Sequence, residues 1–185
     1  MKTYIGLILL IVLQVSCKSD SLSDKEIKVH TIKGKEIGQA VLTKLGGSLM
    51  QQMKSGGVKK ALPFCNVAAI PLTKELSRTH NVTIKRTSHK LRNQNNKPNL
   101  EEESILKQYL ASISKGEKIK PIVKKGQNGK VHFYAPMKLN NKCLACHGNV
   151  SKQTDSIIKS LYPNDKATGF KDGDLRGILS VTFND

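Results

Sequence analysis

The chain of 185 residues contains no tryptophan, and only 4% of its residues are aromatic. A core must therefore rest mainly on Ile, Leu, Val and Ala side chains. Hydrophobic residues make up 38% and charged residues 24% of the chain, which is the range of a soluble globular protein. The length suits one domain and a leader, and the sequence contains no internal repeat.

Acidic residues are scarce: 14 Asp and Glu stand against 31 Lys and Arg, which gives a formal net charge of +17. Such a surface favours acidic partners, anionic lipid or nucleic acid. A lysine-rich shell that only keeps the protein in solution is the plainer explanation. No basic stripe is interleaved with aromatic residues, so we expect no nucleic-acid partner.

No apolar run is long enough to predict a full membrane span. The run over residues 5–13 follows Lys2 and has the length of a signal-peptide core. Cys17 then precedes a polar stretch, as in lipoprotein signals, although Gln14 departs from that pattern. We expect residues 1–16 to be removed and Cys17 to be acylated as a lipid anchor. The alternatives are an ordinary cleaved signal and an uncleaved anchor.

The predicted protein is therefore exported and membrane-anchored, facing the periplasm or the cell surface. Residues 17–32 are polar and without periodicity, which predicts a flexible tether. The domain is then expected over residues 33–185. From Lys33 apolar residues recur at helical spacing up to Gly56-Gly57, and a second amphipathic segment follows over residues 58–76. The two segments predict a helical hairpin, with Pro63 and Pro71 kinking the second helix or delaying its start.

The rest of the chain alternates strand and helix signals. They predict a strand at 82–88, a polar loop at 89–99, a helix capped by Asn99, a hairpin of 118–125 with 130–139, a loop at 140–150 and a closing strand at 177–183. This order indicates an α+β domain in which the helical hairpin packs on a small antiparallel sheet.

The strongest motif is CLACH, in which two cysteines and a histidine stand at Cys143, Cys146 and His147. Two thiols at this spacing reach the two vinyl groups of a porphyrin, and the adjacent imidazole lies under the iron. The motif predicts one covalent haem c with His147 as an axial ligand. Zinc or a bare disulfide is the alternative, but no second Cys-Cys or His-His pair lies nearby to complete a zinc site.

A fourth cysteine, Cys65, is left over once Cys17 is assigned to lipid and the CLACH thiols to thioethers. A lone cysteine on a helix face is usually a small buried hydrophobe. The residue types alone leave the sixth iron position undecided between Cys65, an open site and several other side chains. The other candidates are Met50, Met53, Met137, His89 and His132, although His132 has the alternation of a structural strand residue.

Several motifs together resemble a bacterial family of c-type haem domains with a PAS-like fold, long catalogued as a domain of unknown function. The motifs are FCNVAAIPLTKEL (64–76), IKRTSHKLRNQNNKPN (84–99), CLACHG (143–148) and YPNDKATGFKDGDLRGILSVTF (162–183). Gln94 departs from the family, which usually has Pro there. The resemblance implies a PAS-like fold and implies that Cys65 is the second axial ligand. Thiolate ligation stabilises ferric iron, so a low potential is expected.

Arg86, Arg92 and Asn93 are candidates for contacts with the haem propionates, because a guanidinium suits a carboxylate. The alternative is that they only order their loop. The predicted function is redox or ligand sensing with an unknown and possibly acidic partner, and a low-potential electron carrier is the alternative. We expect no enzyme activity, because Cys65 would fill the position that a substrate needs.

Overall fold

The computed structural model describes residues 21–184. The predicted signal peptide (1–16) and Cys17 lie outside the described residues. The helices are α1 (Asp24–Val41), a π-helical turn (Leu42–Gly46), α2 (Gly47–Thr79), α3 (Leu100–Ser114), α4 (Leu144–His147) and α5 (Lys152–Leu161), with short 3-10 helices at Gln94–Asn96 and Asn141–Cys143. The strands are β1 (Val82–Thr87), β2 (Ile122–Lys125), β3 (Val131–Lys138) and β4 (Leu175–Phe183).

The four strands form one antiparallel sheet in the order β1-β4-β3-β2. The closing strand β4 therefore lies in the middle of the sheet, where seven of its nine residues are buried. The β2-β3 hairpin turns at Asn128-Gly129, as predicted, and Gly129 has a φ of 75° that glycine adopts without strain. The predicted α+β class with a small antiparallel sheet is confirmed.

Helix α1 begins earlier than the sequence analysis placed it. A capping box starts it: the Ser23 hydroxyl accepts from the Glu26 amide, and the Glu26 carboxylate accepts from the Ser23 amide at 2.8 Å. Residues 24–32, which the sequence predicts as part of the tether, are therefore helical. The apolar periodicity is weak there because the side chains of this first part of α1 are mostly exposed.

The predicted helix break at Gly56-Gly57 is confirmed. Gly56 and Gly57 are the residues of α2 with non-helical backbone angles, and Gly57 has a φ of 63°. The two prolines of the second segment, Pro63 and Pro71, lie inside a helix that continues past both of them to Thr79. The change of direction thus comes from the glycine pair, which tolerates backbone angles that other residues avoid.

The two faces of the sheet carry separate cores, and β3 shows the alternation clearly. Phe133 belongs to a cluster with α1 and α2, and the next residue, Tyr134, belongs to a cluster with α3. Helix α3 begins at the predicted cap, where Asn99 Oδ1 accepts from the Glu102 amide at 2.8 Å. Successive side chains of a strand point to opposite faces, so both layers are packed.

Helix α5 is the one described helix for whose residues the sequence analysis made no prediction. The Ser151 hydroxyl caps it, and Ile158 is buried against the rest of the domain. It spans only ten residues, which is shorter than the window over which helical periodicity is read. Within residues 21–184 no helix is long and apolar enough to cross a membrane.

Candidate haem site

A cavity of about 520 Å³ lies between α2, the end of β1 and the segments that carry the CLACH motif. It brings together side chains that are far apart in the sequence. The predicted site residues within the described part of the chain all line it: Cys65, Arg86, Arg92, Asn93, Cys143, Cys146 and His147. The geometry thus collects both candidate axial ligands and both thiols of the CLACH motif around one space.

The rest of the cavity wall is largely aliphatic. It includes Leu42, Leu49, Met50, Met53, Ala61, Leu62, Ala69, Ile70, Leu91, Met137 and Leu139. Met50, Met53 and Met137, which the residue types left open as sixth ligands, are therefore at the cavity. His89 and His132 are not among its lining residues.

His132 instead lies in the sheet, away from the cavity lining. Its Nε2 is 3.0 Å from Asn128 Oδ1 and its Nδ1 is 3.1 Å from Thr182 Oγ1. The ring also stacks on Tyr134 with a centroid distance of 5.9 Å. Both ring nitrogens are engaged, which fits the structural role expected for this histidine.

The CLACH residues sit on a compact turn of helix. A 3-10 turn ends at Cys143, and α4 then runs from Leu144 to His147. The side chain of Asn140 organises its start, because Oδ1 accepts from the Lys142 amide at 3.0 Å and lies 3.3 Å from Cys143 Sγ. Local hydrogen bonds of the Asn140 side chain thus cap the turn that carries Cys143.

His147 is held in one tautomer. Its Nδ1 lies 2.7 Å from the carbonyl oxygen of Ala167, which is itself fully buried. A carbonyl only accepts, so Nδ1 carries the proton and the Nε2 lone pair is free to bind a metal ion. Burial, reinforced by Arg176 and Arg92, lowers the pKa of His147 to about 3, so the ring is neutral.

Cys65 faces the cavity from α2. Ala61, Leu62 and Ala69 line the same space, and their spacing of three and four residues places them on one face of the helix with Cys65. Burial raises the pKa of the Cys65 thiol, while the nearby Arg86 guanidinium lowers it. The thiol therefore lies in an apolar setting with a cation beside it.

The two predicted arginines differ in their surroundings. Arg86 lines the cavity and its guanidinium makes no hydrogen bond or ion pair within residues 21–184. Burial lowers its pKa, and Cys65 opposes that effect. Arg92 forms a buried ion pair with Asp165, at 2.9 Å, and donates to the Cys146 carbonyl at 2.6 Å. Arg92 therefore has the loop-ordering contacts that the sequence analysis gave as the alternative.

Asn93, the third propionate candidate, also orders its own loop. Its Oδ1 accepts from the Asn95 amide at 2.9 Å and caps the 3-10 turn over Gln94–Asn96. Gln94, where the resembling family usually has Pro, donates from its side chain to the Asn164 carbonyl at 3.2 Å. This loop is thereby tied to the segment that follows α5.

Arg176 is a site residue that the sequence analysis missed. It lines the cavity from β4, and its Nη1 donates to Ser88 Oγ at 2.7 Å and to the Lys90 carbonyl at 3.0 Å. Burial and the neighbouring Arg92 lower its pKa to about 10. It follows a buried leucine in β4, and no pattern in the neighbouring sequence distinguishes it from a solvent-facing arginine of a strand.

Among residues 21–184 no group of three or more His, Cys, Asp and Glu side chains converges on a point that could hold a metal ion. A zinc site needs such a group. Cys65, Cys143 and Cys146 are all free thiols, so a disulfide is also absent from the described residues.

Comparison with known proteins gives one family and one solved structure. The model of the Tll0287-like family matches residues 12–184. The crystal structure of the cyanobacterial haem protein Tll0287 superposes with a TM-score of 0.62 at 23% sequence identity, covering 88% of this chain and 96% of that one. No curated protein matches the sequence. The match over nearly the whole chain shows that this protein belongs to the Tll0287-like family.

Proposed function

We propose that this chain is an exported c-type haem protein that acts in redox or ligand sensing. One haem would be attached through Cys143 and Cys146, with His147 and Cys65 as the axial ligands. The observation that carries the proposal is the cavity that all four side chains line, although Cys65 and the CLACH motif are far apart in the sequence. The haem protein named in the comparison supports the same cofactor.

The residues present suit a haem in three respects. Aliphatic side chains form most of the wall, as the flat apolar macrocycle requires. His147 is neutral and oriented through Nδ1, as metal-binding histidines usually are. Arg86 is a cavity cation whose guanidinium makes no hydrogen bond or ion pair within residues 21–184, which suits a propionate carboxylate or the nearby Cys65 thiolate.

Bound haem supplies a one-electron couple and, where an axial position opens, a binding position for a small diatomic ligand. The residues of this chain determine which use prevails. Cys65 is carried by α2, so a change in its ligation would act on the helical segment that follows the Gly56-Gly57 break. A sensing role needs such a coupling between the ligand and a structural element.

The remaining predictions of the sequence analysis belong to this proposal as well. They are the lipid anchor at Cys17, the exported location, the absence of enzyme activity, the PAS-like character and the helical-hairpin layout. The high positive charge supports docking of an acidic partner or an anionic membrane surface. In the sensing role, the signal would pass to an unknown redox or signalling partner.

Covalent attachment is tested by the intact mass of protein purified from an export-competent host. We expect the mass of one haem to be added to wild type. Cys143→Ser and Cys146→Ser each keep one thioether, so each can still carry the mass of a whole haem, whereas the double variant should carry none. A wild-type protein without the added mass, or a double Cys143→Ser/Cys146→Ser variant that keeps it, would contradict the proposal.

Axial ligation by Cys65 is tested by absorption and electron paramagnetic resonance spectra with a redox titration. Cys65→Ser should change the ferric spectrum and raise the midpoint potential, because a thiolate stabilises the ferric state. The methionines at the cavity provide matched controls: Met50→Leu and Met53→Leu should leave both measurements unchanged. Wild-type spectra in Cys65→Ser, or altered spectra in a methionine variant, would show that the ligand is misassigned.

A low-potential electron carrier is the second candidate, and the net charge of +17 favours it, because basic surfaces speed the encounter with acidic partners. Carbon monoxide distinguishes the two. Rapid binding to the reduced protein, with loss of the Cys65 signature, supports sensing. Persistent six-coordination with fast electron exchange and a steep decrease of the rate with salt supports electron transfer.

A further inference from the structure

Arg92 makes a set of contacts that its predicted role at the propionates does not explain. Its Nε donates to Asp165 Oδ1 at 2.9 Å, and its Nη2 donates to the carbonyl oxygens of Cys146 at 2.6 Å and Ala167 at 3.3 Å. The side chains of the ion pair are only 9% and 7% exposed. A buried guanidinium thus connects a carboxylate and two backbone segments.

One of these acceptors is shared with His147. The Ala167 carbonyl accepts from His147 Nδ1 at 2.7 Å and also receives the bond from Arg92. The backbone of the two segments is joined directly as well, because the Phe170 amide donates to the His147 carbonyl at 2.9 Å and the Gly169 amide donates to the Gly148 carbonyl at 3.0 Å. Arg92 therefore lies where the attachment motif and the segment that orients His147 meet.

We propose that Arg92 is a positioning residue that assembles the CLACH segment and the His147 acceptor, with Asp165 orienting its guanidinium. The planar fork of arginine can serve acceptors in several directions at once, which the single ammonium group of lysine cannot match. The proposal rests on the proposed function where it concerns haem. The assembly of the two segments is a claim about the protein alone.

The assembly is tested by hydrogen exchange of the Gly169 and Phe170 amides in the purified full-length protein. Arg92→Gln, Arg92→Lys and Asp165→Asn should each speed exchange at both amides by about tenfold or more, since buried bonds to a charged group are lost or weakened. The Val181 amide in the central strand should exchange at the wild-type rate. Asp155→Asn, which removes the exposed partner of Lys159, is the matched control and should change neither.

Wild-type exchange at Gly169 and Phe170 in Arg92→Lys would overturn the proposal, because a positive charge alone would then suffice. Faster exchange throughout the sheet would also overturn the proposal. Such a result would show a general loss of stability, not a local loosening of the two segments that Arg92 joins. If Arg92→Gln does not fold, the Arg92→Lys and Asp165→Asn variants decide the question in the same way.

The effect on the bound group is tested by redox titration and by the haem-bearing fraction in intact mass. Removing a positive charge stabilises the oxidised state, so Arg92→Gln should lower the midpoint potential, and Asp165→Asn should raise it. Both should reduce the attached fraction by roughly tenfold, the lower end of the loss that mutation of outer-shell partners causes at metal sites. Potentials that shift in the same direction, or not at all, would overturn the electrostatic part. A wild-type protein without haem would refute the proposed function. The exchange data would still decide whether Arg92 holds the CLACH segment and the Ala167 segment together.

Discussion

Two glycines one turn apart in α1 allow the packing of this helix on the sheet to be measured. A Cβ added at Gly34 would lie 2.3 Å from Cγ of Phe133 and within 2.6 Å of both Cδ atoms of that ring. At Gly38 the nearest atom would be Leu179 Cδ2 at 3.4 Å, an ordinary contact. Gly34→Ala and Gly38→Ala are thus the same chemical change in the same helix, with and without a clash.

The expected magnitudes follow from these distances. Replacing glycine by alanine inside a helix stabilises it by about 1 kcal/mol, and this gain applies to both variants. The clash at Gly34 must move an aromatic ring that is only 1% exposed, so it costs about 3 kcal/mol, the upper part of the range for overpacking. Gly34→Ala should therefore lose about 2 kcal/mol and Gly38→Ala should gain about 1 kcal/mol.

Thermal unfolding and urea titration of the two variants provide the assay. For a domain of this size a difference of about 3 kcal/mol corresponds to melting temperatures about 6 to 12 °C apart. The urea midpoints should shift in the same order with an unchanged slope. A Gly34→Ala protein at least as stable as wild type would refute the packing of α1 on Phe133, and would place residues 24–41 outside the folded domain.

Three further outcomes can be measured on the same protein. Asn99→Ala should lower the free energy of unfolding by about 1 kcal/mol, because the Glu102 amide loses its cap; an unchanged urea midpoint would contradict this. Burial lowers the pKa of His132 below its ordinary value of 6.5, so the unfolded chain takes up the proton first as the pH falls, and stability should decrease below about pH 6.5. That decrease should be smaller in His132→Gln, and equal slopes in the two proteins would show that His132 is not responsible. Arg86→Met should lower the midpoint potential while Arg86→Lys keeps it near wild type, because the charge beside Cys65 is removed only in the first; equal potentials would argue against a role of that charge.

Elements that begin with a strong local signal were predicted well. The capping pair at Asn99 and Glu102, the Asn128-Gly129 turn and the Gly56-Gly57 break all act through neighbours in the chain, and the structure has each of them in place. The start of α1 was predicted too late, because its first turns carry few buried side chains. Helix α5 escaped notice for a similar reason, since its stability comes from packing and not from a long periodic pattern.

The candidate site divides in the same way. The CLACH spacing is a local property of the chain, so its two thiols and His147 could be identified from the sequence alone. Cys65 could be predicted as a candidate ligand only through the resemblance to a family, because a lone cysteine on a helix face has no distinctive pattern. Its place at the cavity depends on how α2 turns at the glycine pair and packs on the sheet.

The sequence by itself determined the CLACH motif, the class of fold, the excess of positive charge and the surplus cysteine. The tertiary structure decided which polar groups meet. It places the Arg86 guanidinium at the cavity without a hydrogen bond or ion pair to the described residues. Arg92 instead donates to Asp165 and to the carbonyls of Cys146 and Ala167. Both arginines look alike in the sequence. They differ because buried hydrogen bonds are made between segments distant in the chain, and only the folded packing sets those distances.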